Sequence, residues 1–136
     1  NLAERAITAD SAVKNPWHKV PGATYDEQYY GMFWAGMPDL NFDHRPVREE
    51  IFRIGRFWLC DVGVDGFRLD AARHLYPESE ETKNHEFWEE FRAEMEGAKP
   101  DVFLIGEVWT RPDRIAPYFR GLHANFNFDL RLAIEQ

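Results

Sequence analysis

Apolar side chains recur at helical spacing between residues 46 and 58. Their positions are Val47, Ile51, Ile54 and Trp58. Pro46 suits the first turn of a helix, because its fixed φ is helical and an N–H is not needed there. Glu49 and Arg53, four residues apart, would support the helix as an ion pair. Gly63 ends the pattern, so the sequence predicts a first helix over this range.

A second helical pattern covers roughly residues 84 to 96. Asn84 is its predicted N-cap, because a side-chain amide oxygen can accept a free N–H of the first turn. The apolar stripe of this helix consists of Phe87, Phe91 and Met95. Further along, Pro112 opens a short helical piece that Pro117 interrupts.

Three apolar runs between these patterns are predicted to be β-strands. They are VDGFRLD at residues 64 to 70, VFLIGEV at 102 to 108 and NFNF at 125 to 128. Helices and strands alternate with short connections, which indicates parallel strands joined by right-handed crossovers. The predicted fold class is therefore α/β, as an open sheet or a barrel.

Residues 1 to 45 lack a clear period. They combine several prolines and glycines with many aromatic residues, which describes a long irregular segment packed by its own side chains. Loops of this length in compact proteins are usually functional. The predicted organisation is an irregular segment over residues 1 to 45, followed by an α/β segment over residues 46 to 136.

The last residues, LRLAIEQ, have a helical pattern for which Asp129 is the predicted N-cap. No capping residue ends this helix. Together with a length of 136 residues, the pattern leads us to expect a piece of a larger domain.

Charge and composition narrow the expected partners. The formal net charge is −8, whereas nucleic acids and anionic membranes both require a basic protein face. No apolar run approaches the roughly 20 residues of a membrane span. We therefore expect no nucleic-acid partner and no membrane insertion. The single cysteine, Cys60, lies in the apolar run FWLC and is expected to be a packed thiol.

Two acidic residues stand where predicted strands end. Asp70 closes VDGFRLD, and Glu107 follows FLIG. In a parallel sheet both would lie at the carboxyl edge, where α/β folds keep their active sites. Neighbouring strands could bring the carboxyl groups to roughly 5 to 6 Å. About 5 to 5.5 Å is the spacing of retaining glycosidases, whereas inverting enzymes need about 6.5 to 9.5 Å.

The neighbours of these carboxylates suggest their roles. Arg68 lies two residues before Asp70 and therefore on the same strand face, where it would favour the ionised form that a nucleophile needs. Glu107 stands among Ile105, Val108 and Trp109, where poorer solvation favours a protonated acid. The alternative is structural: Arg68 and Asp70 could be an ion pair in a barrel interior, and Glu107 a solvated residue at a strand end. The residues alone leave the catalytic and the structural interpretation open.

Three stretches carry a family resemblance. GVDGFRLDAARH, at residues 63 to 74, and FLIGEVW, at 103 to 109, closely resemble two consecutive conserved stretches of the alpha-amylase family, glycoside hydrolase family 13. MPDLN, at residues 37 to 41, is similar to a further stretch. The residues of this stretch resemble those of one subgroup of the family. That subgroup is intermediate between oligo-1,6-glucosidases and neopullulanases and includes bacterial alpha-amylases.

The resemblance implies a (β/α)8 TIM barrel of which this chain supplies about strands 3/4 to 6. Asp70 would follow the fourth strand and Glu107 the fifth, and NFNF would be the sixth. Residues 1 to 45 would end the insertion after the third strand. By the same resemblance, Asp70 is the nucleophile, Glu107 is the general acid/base, and Arg68 hydrogen-bonds the nucleophile.

The resemblance also implies ligand contacts. Arg73 and His74 match positions that contact sugar beyond the cleavage point, although many relatives have Lys where Arg73 stands. The main-chain carbonyl of His74 matches a calcium ligand, with the usual partner ligands expected outside this chain. Trp109 could stack on a sugar ring. The alternatives are a solvated loop for Arg73 and His74, and core packing for Trp109.

Two further family elements are expected outside the chain. An Asn-His stretch should precede residue 1, and a His-Asp pair with the third catalytic carboxylate should follow residue 136. Asp129 comes one strand too early to be that third acid.

The implied activity is retaining endo-hydrolysis of α-1,4-glucosidic bonds in an α-glucan such as starch or maltodextrin. An α-glucosidase, a cyclomaltodextrinase or a transglycosylase could be built on the same site. A non-catalytic relative that binds or scaffolds is the alternative from another class, although such relatives typically lose the carboxylates. The resemblance slightly favours a secreted bacterial enzyme with calcium as a possible cofactor, and residues 1 to 136 alone are expected to be inactive.

Overall fold

A computed structural model describes residues 15–134, and the chain divides in sequence between Leu40 and Asn41 into two compact units. The first unit contains a small antiparallel pair, β1 (Trp17–Lys19) and β2 (Gln28–Tyr30). The irregular character predicted for residues 1 to 45 is therefore wrong for these two strands. Strands of three residues are too short for an alternating pattern to show in the sequence. Residues 1–14, which share that prediction, lie outside the described residues.

The first predicted helix is confirmed. Helix α1 (Arg45–Phe57) has proline in its first turn, continues as one wider π-helical turn (Trp58–Val62), and ends at Gly63. Gly63 has a φ of 87°, in the left-handed region that glycine adopts without steric cost.

The side chains of α1 are arranged differently from the prediction. The buried positions of this segment are Phe52, Gly55 and Leu59, whereas Ile54 and Trp58 are exposed. The predicted pair of Glu49 with Arg53 is also wrong: Glu49 bonds Arg45, and Arg53 bonds Glu50. Cys60 is exposed rather than packed, because Leu59 occupies the buried position of this turn.

Helix α2 (Glu81–Ala98) follows a 3-10 turn (Glu78–Glu80) and begins three residues before the predicted start. Asn84 is therefore not an N-cap: it lies within the first turn of the helix and is fully buried in the protein. The predicted stripe of Phe87, Phe91 and Met95 is confirmed as buried. Across residues 15–134, no helix has both the length and the apolar character that crossing a membrane requires.

The second unit is built on a parallel sheet. Its strands are β3 (Gly66–Leu69), β4 (Phe103–Gly106) and β5 (Ala124–Asn125), paired in that order. Arg68 pairs with Ile105, and Gly106 pairs with Asn125. The predicted parallel arrangement is thus confirmed, with β5 shorter and slightly earlier than NFNF.

Two short helices complete this unit. Helix α3 (Pro112–Ile115) leads into a 3-10 turn (Ala116–Arg120), and helix α4 (Phe128–Ile134) follows β5. The predicted N-cap at Asp129 is wrong, because Asp129 already lies in the first turn of α4. The capping acceptor is the side-chain oxygen of Asn127, which receives the N–H of Leu130 at 2.9 Å.

The hydrophobic core lies between one face of the sheet and the helices. Leu104 of β4 is fully buried, while Phe103, which points to the opposite face, is 51 % exposed. Arg68 shares the face of Phe103, because its register partner is Ile105. The helices therefore cover one face, and Arg68, the one charged residue of β3, β4 and β5, lies on the other.

Gly121 packs directly on the backbone of α2. A Cβ at this position would overlap the backbone and Cβ of Trp88, so we expect Gly121→Ala to lower the stability of the complete protein by about 1–3 kcal/mol. Gly97, in the exposed part of α2, has no neighbour within 4 Å of such a Cβ. Gly97→Ala is the matched control and should stabilise by about 0.5–1 kcal/mol through helix propensity. Thermal unfolding midpoints of the two variants measure the difference, and shifts of the same sign would contradict this packing.

Candidate active site

Three charged side chains converge at the carboxyl edge of the sheet. Asp70 is the first residue after β3, and Glu107 is the first residue after β4. Arg68 lies within β3, on the face that the helices leave open. Their side chains are 75 %, 16 % and 54 % exposed, respectively, so solvent reaches Asp70 freely and Glu107 only partly.

The guanidinium of Arg68 bridges both carboxylates. Its Nη1 lies 2.9 Å from Oδ1 of Asp70, and its Nη2 donates to Oε2 of Glu107. The predicted pairing of Arg68 with Asp70 is confirmed. The expected poor solvation of Glu107 is confirmed, since its side chain is 16 % exposed, but its surroundings are not purely apolar, because Arg68 contacts it as well. One rigid, planar cation therefore holds the two acids side by side.

The backbone reinforces this arrangement. The N–H of Glu107 donates to the carbonyl of Leu69 at 2.9 Å, and the N–H of Ala72 donates to the carbonyl of Glu107 at 3.0 Å. Between these contacts, Ala71 has a φ of 45°, a left-handed conformation that costs a non-glycine residue about 1–2 kcal/mol. Such local strain persists only where surrounding contacts fix the chain, and here it directs the segment that follows Asp70.

Two residues of helix α2 hold the segment after Asp70 in place by hydrogen bonds. The indole N–H of Trp88 donates to the carbonyl of Ala72 at 2.6 Å. The amide of Asn84 donates to the carbonyl of Arg73 at 2.9 Å, and its oxygen accepts the N–H of Tyr76 at 3.1 Å. Because Trp88 and Asn84 are buried, these hydrogen bonds are shielded from water and hold the loop firmly.

Trp109 contacts the second carboxylate. Its indole Nε1 donates to Oε1 of Glu107 at 2.6 Å, and its ring stacks on Phe128 at a centroid distance of 3.9 Å. The ring is half-buried. Both oxygens of Glu107 therefore accept a hydrogen bond, one from Arg68 and one from Trp109. Stacking of Trp109 on a sugar ring stays a prediction.

Arg73 points into the protein. It is 9 % exposed, with Nη1 donating to the carbonyl of Trp109 at 2.9 Å and Nη2 donating to Glu78 at 3.2 Å. The alternative of a solvated loop residue is therefore wrong for Arg73. The sugar contact implied by the resemblance stays a prediction.

His74 is partly buried, and burial lowers the pKa of its imidazole to about 4, with a further contribution from the positive charge of Arg73. The ring is therefore neutral at pH 7. Calcium requires six to eight oxygen ligands. Residues 15–134 bring together no group of three His, Cys, Asp or Glu side chains that could hold a metal ion. One carbonyl of His74 cannot form such a site alone, so its calcium role stays a prediction.

Sequence reasoning missed the residues that support the site. The sequence predicts a strand at Phe128, although this residue opens α4 and stacks on Trp109. It predicts a cap at Asn84, although the Asn84 side chain holds the loop after Asp70. Asn84 stands three residues before Phe87 and thus on the apolar stripe of the helix. A polar residue on such a stripe is a signal that could have been used, because its amide must find partners inside the protein.

Comparisons with known proteins identify the family of this chain. The family profile described as "Alpha amylase, catalytic domain" matches residues 10–135. Alpha-amylase 3 of Dictyoglomus thermophilum is 50 % identical over 116 residues, which are 85 % of this chain and 22 % of that protein. The 4-alpha-glucanotransferase of Thermotoga maritima is 33 % identical over 120 residues, which are 88 % of this chain and 25 % of that protein. The crystal structure of the alpha-amylase from H. orenii superposes with a TM-score of 0.73 at 46 % identity, over 85 % of this chain and 22 % of that one.

The chain thus spans about a fifth of the length of the first of these relatives. Its parallel strands and the helices that cover them form part of the barrel found in these amylases. The subgroup suggested by MPDLN stays a prediction. With a family profile that covers nearly all of its residues, the chain belongs to the alpha-amylase family, as part of its catalytic domain.

Proposed function

We propose that the enzyme containing this chain is a retaining glycoside hydrolase that cleaves α-1,4-glucosidic bonds within starch or maltodextrin. The observation that supports the proposal is the bridge formed by Arg68. It holds Asp70 and Glu107 side by side at the carboxyl edge of adjacent parallel strands. Two adjacent carboxylates at this edge are the arrangement that a double displacement at a sugar carbon requires.

In the first step, an ionised oxygen of Asp70 attacks the anomeric carbon while the bond from that carbon to the glycosidic oxygen breaks. Glu107 gives its proton to the departing oxygen, so the leaving chain carries a hydroxyl group. Asp70 suits the nucleophile role because its carboxylate is exposed, with Arg68 fixing one oxygen. The product is a covalent glycosyl ester on Asp70.

In the second step, Glu107 acts as a base. It takes a proton from a water molecule, whose oxygen attacks the anomeric carbon and releases Asp70. Two inversions at one carbon give net retention. The contacts of both Glu107 oxygens with N–H donors correspond to the ionised form that this step needs.

The same site supports transfer as well as hydrolysis. If a sugar hydroxyl replaces water in the second step, the enzyme becomes a transglycosylase, and one similar protein is named 4-alpha-glucanotransferase. An α-glucosidase or a cyclomaltodextrinase would share both steps and differ in the chain that it accepts. Internal hydrolysis is our first choice, because the relative with the highest identity of those named here is an alpha-amylase. The presence of both carboxylates speaks against a purely scaffolding role.

A trapping experiment tests the proposal. A fluorinated maltosyl fluoride, which forms the ester quickly and releases it slowly, should label the complete enzyme, and peptide mass spectrometry should find the sugar on Asp70. NMR of the first maltodextrin products should show the α-anomer. Asp65→Asn is the control, because Asp65 is an exposed carboxylate that pairs with Lys99 outside the site, and its label should be unchanged. A β-anomer as first product, or a label on another residue, would contradict the mechanism.

A further inference from the structure

We propose that Arg73 and Trp109 are positioning residues that orient Glu107 for proton transfer; the inference rests on the function proposed above. Arg73 holds the carbonyl of Trp109, and the indole of Trp109 holds an oxygen of Glu107. The two residues therefore connect the loop after β3 with the acid that follows β4. The resemblance implies sugar contacts at both positions, and the geometry assigns them a task within the protein as well.

The first step of the argument is the burial of a charge. A guanidinium that is only 9 % exposed must find partners inside the protein, because an unpaired buried cation is strongly unfavourable. Arg73 uses Nη1 for the carbonyl of Trp109 and Nη2 for Glu78. A guanidinium directs its donors in a fixed plane, so its pairing with Glu78 also fixes the direction of the hydrogen bond to Trp109.

The second step is the anchoring of Glu78. Arg114, in helix α3, donates to Glu78 at 2.6 Å and to Glu81 at 2.6 Å. The hydrogen bond from Arg114, together with the charge of Arg73, lowers the pKa of Glu78. Glu78 therefore stays ionised near neutral pH. It joins the loop after β3, which carries Arg73, to helix α3, which follows Trp109 in the chain and carries Arg114.

The third step is the shape of the loop that carries Trp109. The N–H of Thr110 bonds the carbonyl of Val108 at 3.0 Å, so the chain reverses tightly with Trp109 at its tip. The ring is held against Phe128, and its Nε1 reaches back to Glu107 two residues earlier. Because the turn is tight, movement of the Trp109 carbonyl must also move the indole and with it the hydrogen bond to Glu107.

Variants of Arg73 and Trp109 should show different kinetics if these residues position Glu107 than if they only support the fold of the site. A natural glycosidic oxygen needs the proton of Glu107 when it leaves, whereas fluoride leaves as an anion without that proton. A displaced Glu107 therefore slows the cleavage of maltoheptaose much more than the cleavage of α-maltosyl fluoride. A generally loosened site slows both substrates alike. The ratio of the two kcat/KM values, which report the first bond cleavage, separates these cases. Methyl α-maltoside, whose leaving group needs the proton but carries no further sugar, separates both from a lost sugar contact: a displaced Glu107 slows its cleavage as well.

The main variant is Trp109→Phe in the complete enzyme, because phenylalanine keeps an aromatic ring that can stack on Phe128 and lacks the N–H donor. We expect kcat/KM to fall about ten- to a hundredfold for maltoheptaose and less than about threefold for α-maltosyl fluoride. Trp58→Phe is the matched control: Trp58 is an exposed tryptophan of the π-helical turn after α1, and both rates should stay near the parent's. Equal losses on the two substrates, or no loss, would overturn the inference.

Arg73 provides a second, independent variant. Arg73→Met should give the same selective loss, and Arg73→Lys should recover part of it, because lysine keeps the charge and one donor but not the planar fork. If Trp109→Phe does not fold, Arg73→Met and Arg73→Lys remain as the test. An equal loss of kcat/KM on both substrates in Arg73→Met would overturn the inference.

Glu107→Gln calibrates the measurement. It should lose maltoheptaose cleavage and retain most of its kcat/KM for the fluoride. If Glu107→Gln loses both substrates equally, the proposed function fails. If Glu107→Gln behaves as expected but the Trp109 and Arg73 variants do not, only the positioning role fails.

Discussion

Asp70→Asn and Glu107→Gln should each lower starch hydrolysis by the complete enzyme by about three powers of ten or more. Each carboxylate is assigned one half of a double displacement. Asparagine cannot attack the anomeric carbon as an anion, and glutamine cannot donate or accept the required proton. Because the two residues act in one reaction sequence, the double variant should be little worse than either single variant.

The structure predicts different side effects for the two substitutions. Asp70 is 75 % exposed, so its conversion to asparagine should leave the thermal midpoint almost unchanged. Glu107 accepts hydrogen bonds from Arg68 and Trp109. A glutamine side chain can still accept from Trp109, but its NH2 group would face a donor of Arg68. We therefore expect a small loss of stability in Glu107→Gln and a shift of Arg68 toward Asp70.

Reducing-sugar release and circular dichroism, measured side by side, test these effects. Azide should restore turnover of an activated substrate in Glu107→Gln, because azide attacks the glycosyl ester without a general base. Asp70→Asn forms no ester and should not respond to azide. Activity above about a tenth of the parent's in either variant, set against the expected loss, would remove that residue from its role.

The sequence was informative about the sheet because its signals were strong and local. Two runs that end in an acid, separated by one long amphipathic helix, leave a parallel crossover as the simplest connection. The observed register, Arg68 opposite Ile105, then brings Glu107 close to Arg68. The double contact of Arg68 could have been derived from that register. The residues alone suggested only the pair with Asp70, because two-residue alternation describes one strand and not its neighbour.

Helix ends and side-chain directions were harder to predict. Asn84 and Asp129 both suit an N-cap by residue type, but neither is the residue at which its helix begins. Arg73 shows the same limit. Its long side chain can reach solvent or turn inward, and only the positions of Glu78 and the Trp109 carbonyl decide between these directions. Such partners are remote in the chain or depend on loop shape, so local patterns do not reveal them.

Arg68→Ala should lower kcat by about a hundredfold or more and cause a modest loss of stability. Arg68 and Asp70 are 54 % and 75 % exposed, and an ion pair that is this exposed contributes little to folding. Glu107 is only 16 % exposed, however, and loses one of its two side-chain donors. The geometry of the three side chains is nevertheless essential to the proposed mechanism. Without the guanidinium, the two adjacent carboxylates repel each other, and Glu107 keeps only the hydrogen bond from Trp109. A displacement of about 1 Å can cost a factor of about a hundred in rate.

Arg68→Lys distinguishes the charge of Arg68 from its shape, because lysine keeps the cation. Its single ammonium group cannot reproduce the planar fork that reaches both acids, so its kcat should still fall.

Arg53→Ala is the control, because Arg53 is an exposed arginine that pairs within helix α1. Its rate should match the parent's. If Arg68→Ala keeps most of its activity, the bridge between Asp70 and Glu107 is only structural. Glu107 would then be held in place by its backbone contacts with Leu69 and Ala72 and by the hydrogen bond from the Trp109 indole.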